Sequence, residues 1–235
     1  MADELKYGID EQQRDTQIAA GAFFRIQGGN SISGEITPQG NKNEALPALA
    51  ACCLTNEKVF LENLPLIEDV KVMVKILRSL GVNVECPSPS AAVVQTTGKV
   101  KTRLSIDLCG NLRGSITLAG PLLARYGRVV LPRPGGDRIG RRRLDTHILA
   151  LRELGAQVKV KPFGFELKAK KLKGADILLD EASVTATENA VCAASLAEGD
   201  TIIRNAASEP HVQGLCKMLN LMGAQIGGLE QMYCG

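Results

Sequence analysis

Small and apolar residues gather in three stretches of the chain, each leading into a β-branched run. They are "LPALAACCLTNEKVFLENL" from Leu46, "GSITLAGPLLARYGRVVLP" from Gly114 and "NAVCAASLAEGDTIIRNA" from Asn189. Each predicts a helix apolar on nearly every side, and therefore buried, followed by a turn and a strand. Amphipathic stretches lie between them. Asp69–Leu80 sets Val70, Val74, Leu77 and other apolar residues at three-to-four spacing, and Asp145–Leu154 does the same. Further strands are predicted at "SAAVVQTTG", "RLSIDL", "FELKAK" and "DILLD".

Three helical patterns end alike, in "LRSLGVNVE", "LRELGAQVKV" and "LNLMGAQIGG". Gly81, Gly155 and Gly223 stand where a helix stops, and a short strand is expected after each. The chain therefore reads as three copies of one unit. Three sheet-and-helix units around inner helices make one α/β domain. Leu54, Leu123 and Leu196 occupy equivalent places, and their separations from the closing glycine are 27, 32 and 27 residues. The five extra residues of the middle copy fall in "RVVLPRPGGDRIGRRRLDTH", Arg128 to His147. Loops accept insertions that packed elements reject, so added function is expected there.

That loop changes the electrostatic picture. From Arg125 to Arg143 there are seven arginines and one carboxylate, Asp137, whereas the whole chain balances 28 basic against 25 acidic residues. A local cluster in a near-neutral chain suits a small anion better than a polymer. Aromatics make up 3% of the 235 residues, which leaves few stacking platforms for single-stranded nucleic acid. No run approaches the roughly 20 apolar residues that span a bilayer. "MADELKYGIDEQQRDTQIAAG" lacks the basic start and apolar core of an export signal, so the chain is expected in a reducing cytoplasm. The seven cysteines include no C-x-x-C pair, and no structural metal is expected. Cys52, Cys53, Cys192 and Cys216 sit in apolar helical patterns and read as buried, inert thiols.

Two helix starts could hold anions. In "QGNKNEALPALAA", Asn43 reads as the N-cap, Lys42 stands beside it and Pro47 comes early enough to be tolerated. In "ASVTATENAVCAAS", Thr185 and Glu188 have capping-box spacing. Arg113 stands at the corresponding start of the middle unit, with a guanidinium suited to phosphate or carboxylate. Helix N-termini offer free N–H groups and a positive dipole end.

The motifs "GNKNEALPALAACCLT", "GPLLARYG", "LPRPGGDRIGRRRLDTHI" and "SVTATENAVCAASLAEG…RNAASEP" resemble the UDP-N-acetylglucosamine 1-carboxyvinyltransferases, within the enolpyruvyl transferase family. The match runs from about Phe24 to Gly227. The resemblance implies the inside-out α/β barrel fold, in which two similar three-repeat domains flank a cleft. It implies transfer of enolpyruvyl from phosphoenolpyruvate to the 3-hydroxyl of UDP-N-acetylglucosamine, the first committed step of peptidoglycan synthesis, with no metal or organic cofactor. Its domain scheme is a polar mobile extension over residues 1–22, then a strand segment over 23–42 that belongs to the other domain. The three-repeat domain covers 43–228, and a truncated tail, 229–235, stops short of a second domain. A complementing second domain, or self-association through an unpaired strand, is expected in consequence. A non-catalytic nucleotide-sugar-binding or regulatory module, or a basic interaction protein that has kept only the fold, remain as alternatives.

Carried over by position, Lys42 and Asn43 would contact phosphoenolpyruvate, with Arg113 in the same anionic cluster. The nucleotide would lie against Arg142, Arg143, Leu144, Asp145 and Thr146, and against Glu181, Ala182, Ser183 and Val184. Asp137 falls where most members have a cysteine that serves as general acid, which makes Asp137, Lys42 and Arg142 the catalytic candidates. An aspartate among arginines should stay ionised until a bound anion and water exclusion return its proton. Epoxides of the fosfomycin type alkylate that cysteine, so an aspartate there implies insensitivity. Glu181 replaces a commonly basic residue, Arg143 a proline and Thr185 a glycine; Glu181 would cost affinity by like-charge repulsion unless paired, and the extra arginines are candidates for that partner.

Overall fold

The computed structural model describes residues 25–136 and 143–228. The extension expected over 1–22, the tail over 229–235, and the candidates Asp137 and Arg142 lie outside the described residues. Residues 25–37 form a unit of their own and carry neither helix nor strand. The strand expected from about Phe24 to Ile36 is thus not formed in its described part, where no second strand supplies backbone partners.

The repeats take shape in the unit that begins at Pro38. Helix α1, Lys42–Ala51, leads into strand β1, Lys58–Leu61, then helix α2, Glu68–Leu80, and strands β2, Asn83–Ser88, and β3, Ala91–Gln95. The second round has the short helix α3, Ile106–Gly110, a 3-10 turn over Arg113–Leu118 and helix α4, Ala119–Tyr126. Strand β4, Arg128–Pro132, helix α5, Asp145–Glu153, and strands β5, Gln157–Lys161, and β6, Gly164–Lys168, follow. The third holds strand β7, Asp176–Leu178, helix α6, Val184–Ala194, strand β8, Ile202–Arg204, and helix α7, Pro210–Leu221. Two sheets share one plan: β1-β3-β2 and β4-β6-β5, each with an antiparallel central strand. The third has only the parallel pair β7-β8 among the described residues.

Where the predicted pattern fails, a local hydrogen bond explains it. "RLSIDL" is not a strand: Arg103 makes one bridge to Val130, and Ser105 Oγ then accepts from Leu108 N–H and starts α3. A short capped turn outcompetes an alternation only six residues long. After Gly223 the expected strand is also missing. Ile226 donates its N–H to Asn220 Oδ1 and its carbonyl accepts from Asn220 Nδ2, so an amide side chain occupies the place a strand would take. Elsewhere the glycine rule operates as read, with φ of 93°, 96° and 104° at Gly81, Gly155 and Gly223.

One continuous core joins all three repeats. Leu49, Met73, Ile76, Leu80, Leu122 and Leu151 are among its fully buried members. The predicted inner helices are in fact central, with seven residues of α1 and eight of α6 buried. Cys52, Cys53, Cys192 and Cys216 are buried, and loss of water pushes the Cys53 thiol up to about 12 and that of Cys216 to about 11. The basic loop is less concentrated than its sequence suggests. Arg125 donates to the carbonyls of Cys53 and Thr96, and Arg128 pairs with Glu166, so both serve the scaffold. Twelve residues separate β4 from α5, against six between β1 and α2 and five between β8 and α7, so the enlarged interval falls between these two elements.

The α4–α6 crossing has no spare room. A Cβ at Gly120 would collide with the carbonyl oxygen of Asn189. Gly120→Ala is expected to destabilise the protein by about 1–3 kcal/mol, read as a lower midpoint in urea unfolding; an unchanged midpoint would show that the crossing yields.

Candidate anion-binding cleft

The N-terminal ends of α1, α6, α7 and the Arg113 turn open on a single cavity of about 700 Å³. These ends carry backbone N–H groups with no intrahelical acceptor, and their dipoles present positive ends. Lys42, Arg113 and Arg143 line the same cavity. The arrangement follows from the repeat: equivalent helices radiating from one core present equivalent ends to one side.

Each start is built differently from its sequence reading. Asn41, not Asn43, caps α1: its Oδ1 accepts from Asn43 N–H at 2.8 Å, and its carbonyl accepts from Ala45. Asn43 is thereby left in the first turn, lining the cavity. The capping box at α6 does not form. The carbonyl of Ser183 takes both the N–H and the hydroxyl of Thr187, while Thr185 and Glu188 turn to other tasks. Thr187 Oγ1 also accepts from Ala207 N–H and pins the loop that leads into α7.

Asn189 forms the support beneath. It is fully buried, its Oδ1 accepts from Gly120 N–H at 2.6 Å, and its Nδ2 donates to the carbonyl of Ile116 and to His147 Nδ1. With Nδ1 an acceptor, the ring proton sits on Nε2 and donates to Thr185 Oγ1, 3.1 Å away. The Thr185 hydroxyl, which lines the cavity, then keeps its own proton for another acceptor. Burial, reinforced by the nearby Arg113 guanidinium, lowers the His147 pKa to about 3, so the ring is neutral at physiological pH.

Of the residues predicted from sequence, Lys42, Asn43, Arg113, Arg143, Glu181, Ser183 and Val184 come together on this cavity. Leu144, Asp145, Thr146 and Ala182 do not line it. Thr146 is buried and donates to Asp180, and Asp145 is held by Arg143 at 2.7 Å. Arg143 also reaches Asp180 at 3.9 Å and feels the charge of Glu181, so the guanidinium that stands in place of the proline sits in an acidic setting. Arg113 donates to the carbonyl of Arg143. Lys42 pairs with Asp69 at 2.8 Å, a partner 27 residues away.

Sequence reasoning missed Asp69, His147, Glu188, Glu209 and His211 as residues of this cavity. A signal was available for one. Glu188 is the sole charged side chain in "VTATENAVCAA", a helix otherwise of small, apolar and uncharged polar residues. The histidine carries a consequence for stability. Its folded-state pKa lies below the unfolded value, so the stabilisation is complete above about pH 6.5 and drains away as pH falls toward 3. Nuclear magnetic resonance should find no protonation of the His147 ring at pH 5; a ring titrating near 6.5 would contradict the buried network.

Comparison with known proteins shows which family the chain resembles. The family model for EPSP synthase (3-phosphoshikimate 1-carboxyvinyltransferase) matches residues 26–233. UDP-N-acetylglucosamine 1-carboxyvinyltransferases of Treponema denticola and Bradyrhizobium diazoefficiens are 58% and 52% identical, each over 88% of this chain and 48% of the relative. That of Bacteroides fragilis is 46% identical over 88% of this chain and 49% of its own. The chain thus spans about half the length of these relatives. Among solved structures, the enolpyruvyl transferase NikO from Streptomyces tendae superposes with a TM-score of 0.73 at 24% identity, over 86% of this chain and 47% of that one. EPSP synthase from Acinetobacter baumannii gives 0.65 at 20%, over 83% and 45%. Repeated units around buried helices, a cleft at their N-termini and half-identical relatives lead to one assignment: the chain belongs to the enolpyruvyl transferase family.

Proposed function

We propose that this chain supplies one wall of the active cleft of an enzyme that transfers enolpyruvyl from phosphoenolpyruvate to the 3-hydroxyl of UDP-N-acetylglucosamine. The observation that carries the reading is the convergence of Lys42, Arg113 and Arg143 with several helix N-termini on one cavity. Both substrates are anionic, and such a cavity concentrates anions. The names of the relatives at 46–58% identity support the choice of nucleotide sugar. The relatives' other half would close the cleft, as a second domain in a longer chain or a separate polypeptide.

In this reading Lys42, Asn43 and Arg113 hold the phosphate and carboxylate of phosphoenolpyruvate. Arg142, Arg143 and the segments Leu144–Thr146 and Glu181–Val184 take the nucleotide. Asp145 and Thr146 act through their partners, Arg143 and Asp180, rather than at the cavity surface. Asp137, with its proton restored by the bound anion, protonates the methylene carbon of phosphoenolpyruvate. The adjacent carbon becomes cationic and the sugar hydroxyl adds to it. That hydroxyl's proton passes to a base of the other domain; phosphate then leaves with the C–O electron pair while the new methyl group returns a proton to the Asp137 carboxylate, which re-forms the carbon–carbon double bond. No metal or organic cofactor enters this scheme. In peptidoglycan-forming cells the product would enter cell-wall synthesis in the cytoplasm; no described helix is long and apolar enough to cross a membrane.

Calorimetry of the 235-residue chain with UDP-N-acetylglucosamine should show saturable binding. Arg143→Ala should weaken it about tenfold or more, the worth of a hydrogen bond to a charged group. Absence of binding by the folded wild-type protein would remove the reading. Incubation with a fosfomycin-type epoxide should leave the intact mass unchanged, because a carboxylate is a poorer nucleophile than a thiolate; an adduct on Asp137 would contradict the role assigned to that residue.

A further inference from the structure

The floor of the cleft contains a carboxyl group that the scheme above does not use. Glu188 lies in the second turn of α6, is 1% exposed and borders the cavity, and neither of its oxygens has a hydrogen-bond partner. An ionised carboxylate with no donor is among the costliest groups to bury, whereas a neutral carboxylic acid costs much less. Its neighbours do not change that balance. Glu209, just before α7, adds a like charge, and His211 on α7 is itself buried with Nε2 unpartnered.

The charged groups that the other described elements bring against α6 have partners of their own. On α1, Lys42 is engaged with Asp69, and Glu44 lies against Gly214 of α7. The 3-10 turn brings Arg113, whose guanidinium reaches the Arg143 carbonyl. His147 of α5 is committed to Asn189 and Thr185. Arg125 of α4 and Arg204 of β8 are tied to Cys53 and Asp176. Cys192 and Cys216 are buried beside Glu188 and, with thiol pKa values raised by burial, carry no charge.

We propose that Glu188 is a binding-site residue of the cleft that must carry a proton for an anionic ligand to bind. The inference rests on the reading of the cleft as an anion site. A negative charge fixed beneath the cavity would oppose the attraction of the helix ends and of Lys42, Arg113 and Arg143; a neutral acid leaves that attraction intact. A bound anion in turn favours the protonated form, so ligand binding and proton binding are linked. Burial, with Glu209 adding to it, raises the Glu188 pKa to about 8, which puts the loss of affinity just above neutral pH.

The test is calorimetric titration of the wild-type chain and of Glu188→Gln with UDP-N-acetylglucosamine between pH 6.5 and 9. Neither phosphate of this ligand has a second proton to lose, so both stay singly ionised throughout; the uracil N3–H begins to ionise only at the alkaline end and affects both proteins alike, so the difference between them reports Glu188. Wild-type affinity should fall roughly tenfold across that range, and the amide variant should bind as well at pH 9 as at 6.5. Titration near pH 8 in buffers of different ionisation enthalpy should show proton uptake by the wild type that the variant lacks, a readout that packing alone would not move. A variant with the wild-type pH profile overturns the proposal while leaving the proposed function standing. A variant that is folded by circular dichroism yet weak at every pH also overturns it, because the carboxyl would then act through shape. Failure of wild-type protein to bind at pH 6.5 removes the anion-site reading, and this inference with it.

Discussion

A single buried amide holds the cleft in register. Asn189 satisfies the Gly120 amide and the Ile116 carbonyl of the middle unit and the imidazole of His147 on α5, all from a position on the third unit's inner helix. The task needs an acceptor and two donors in one plane, which only a carboxamide supplies, and asparagine brings it on the shorter stem. Its effect extends to the cavity surface, because the histidine it orients fixes the Thr185 hydroxyl. The close approach of α4 and α6 that lets these bonds form depends in turn on the missing side chain at Gly120. Polar networks of this kind stabilise when every member is satisfied and are costly when one is lost.

Around that support, charge is distributed unevenly. The cavity collects helix N-termini and cations at its surface, while carboxyl groups lie at its edge and floor. Asp69 at the edge is paired with Lys42, and Asp145 just outside it with Arg143. Paired surface charges such as these can exchange partners with an incoming anion at modest cost, because each is already partly solvated. The one at the floor, Glu188, has no such exchange available. The two classes of acid in one cleft therefore behave differently, one as a placeholder for the ligand's charge and the other as a group whose protonation matters.

The three repeats are not equivalent in structure. The first two units complete three-stranded sheets, whereas β7 and β8 stand as a parallel pair among the described residues. Leu178 and Ile202 on that pair are 66% and 52% exposed, and Leu196, the counterpart of the buried Leu54 and Leu123, is 46% exposed. The inner helix α6 is nonetheless as deeply buried as α1, since its contacts come from the other inner elements and not from its own sheet. The cleft is thus formed by helix ends and the connections that lead into them, and the sheets act as outer covers.

Much of the fold was legible in the order of residues. Apolar spacing located α2 and α5 to within a residue, three glycines marked where helices end, and unequal spacing between repeats identified the enlarged connection. These features are local: periodicity, left-handed caps and chain length depend on neighbours a few residues apart. The candidate cations Lys42, Arg113 and Arg143 were legible too, because each stands at or near the start of a recognisable element. What only the tertiary structure decided was pairing and burial. Asn41 rather than Asn43 capped α1 because cap geometry depends on backbone angles that composition does not set. Arg125 and Arg128 left the loop's arginine cluster for partners 72 and 38 residues away. Glu188 and His147 acquired their protonation states from surroundings assembled out of α4, α5, α6 and α7. The pKa of a group follows from the water it loses and the charges it meets, and a linear order of residues specifies neither until the chain has folded.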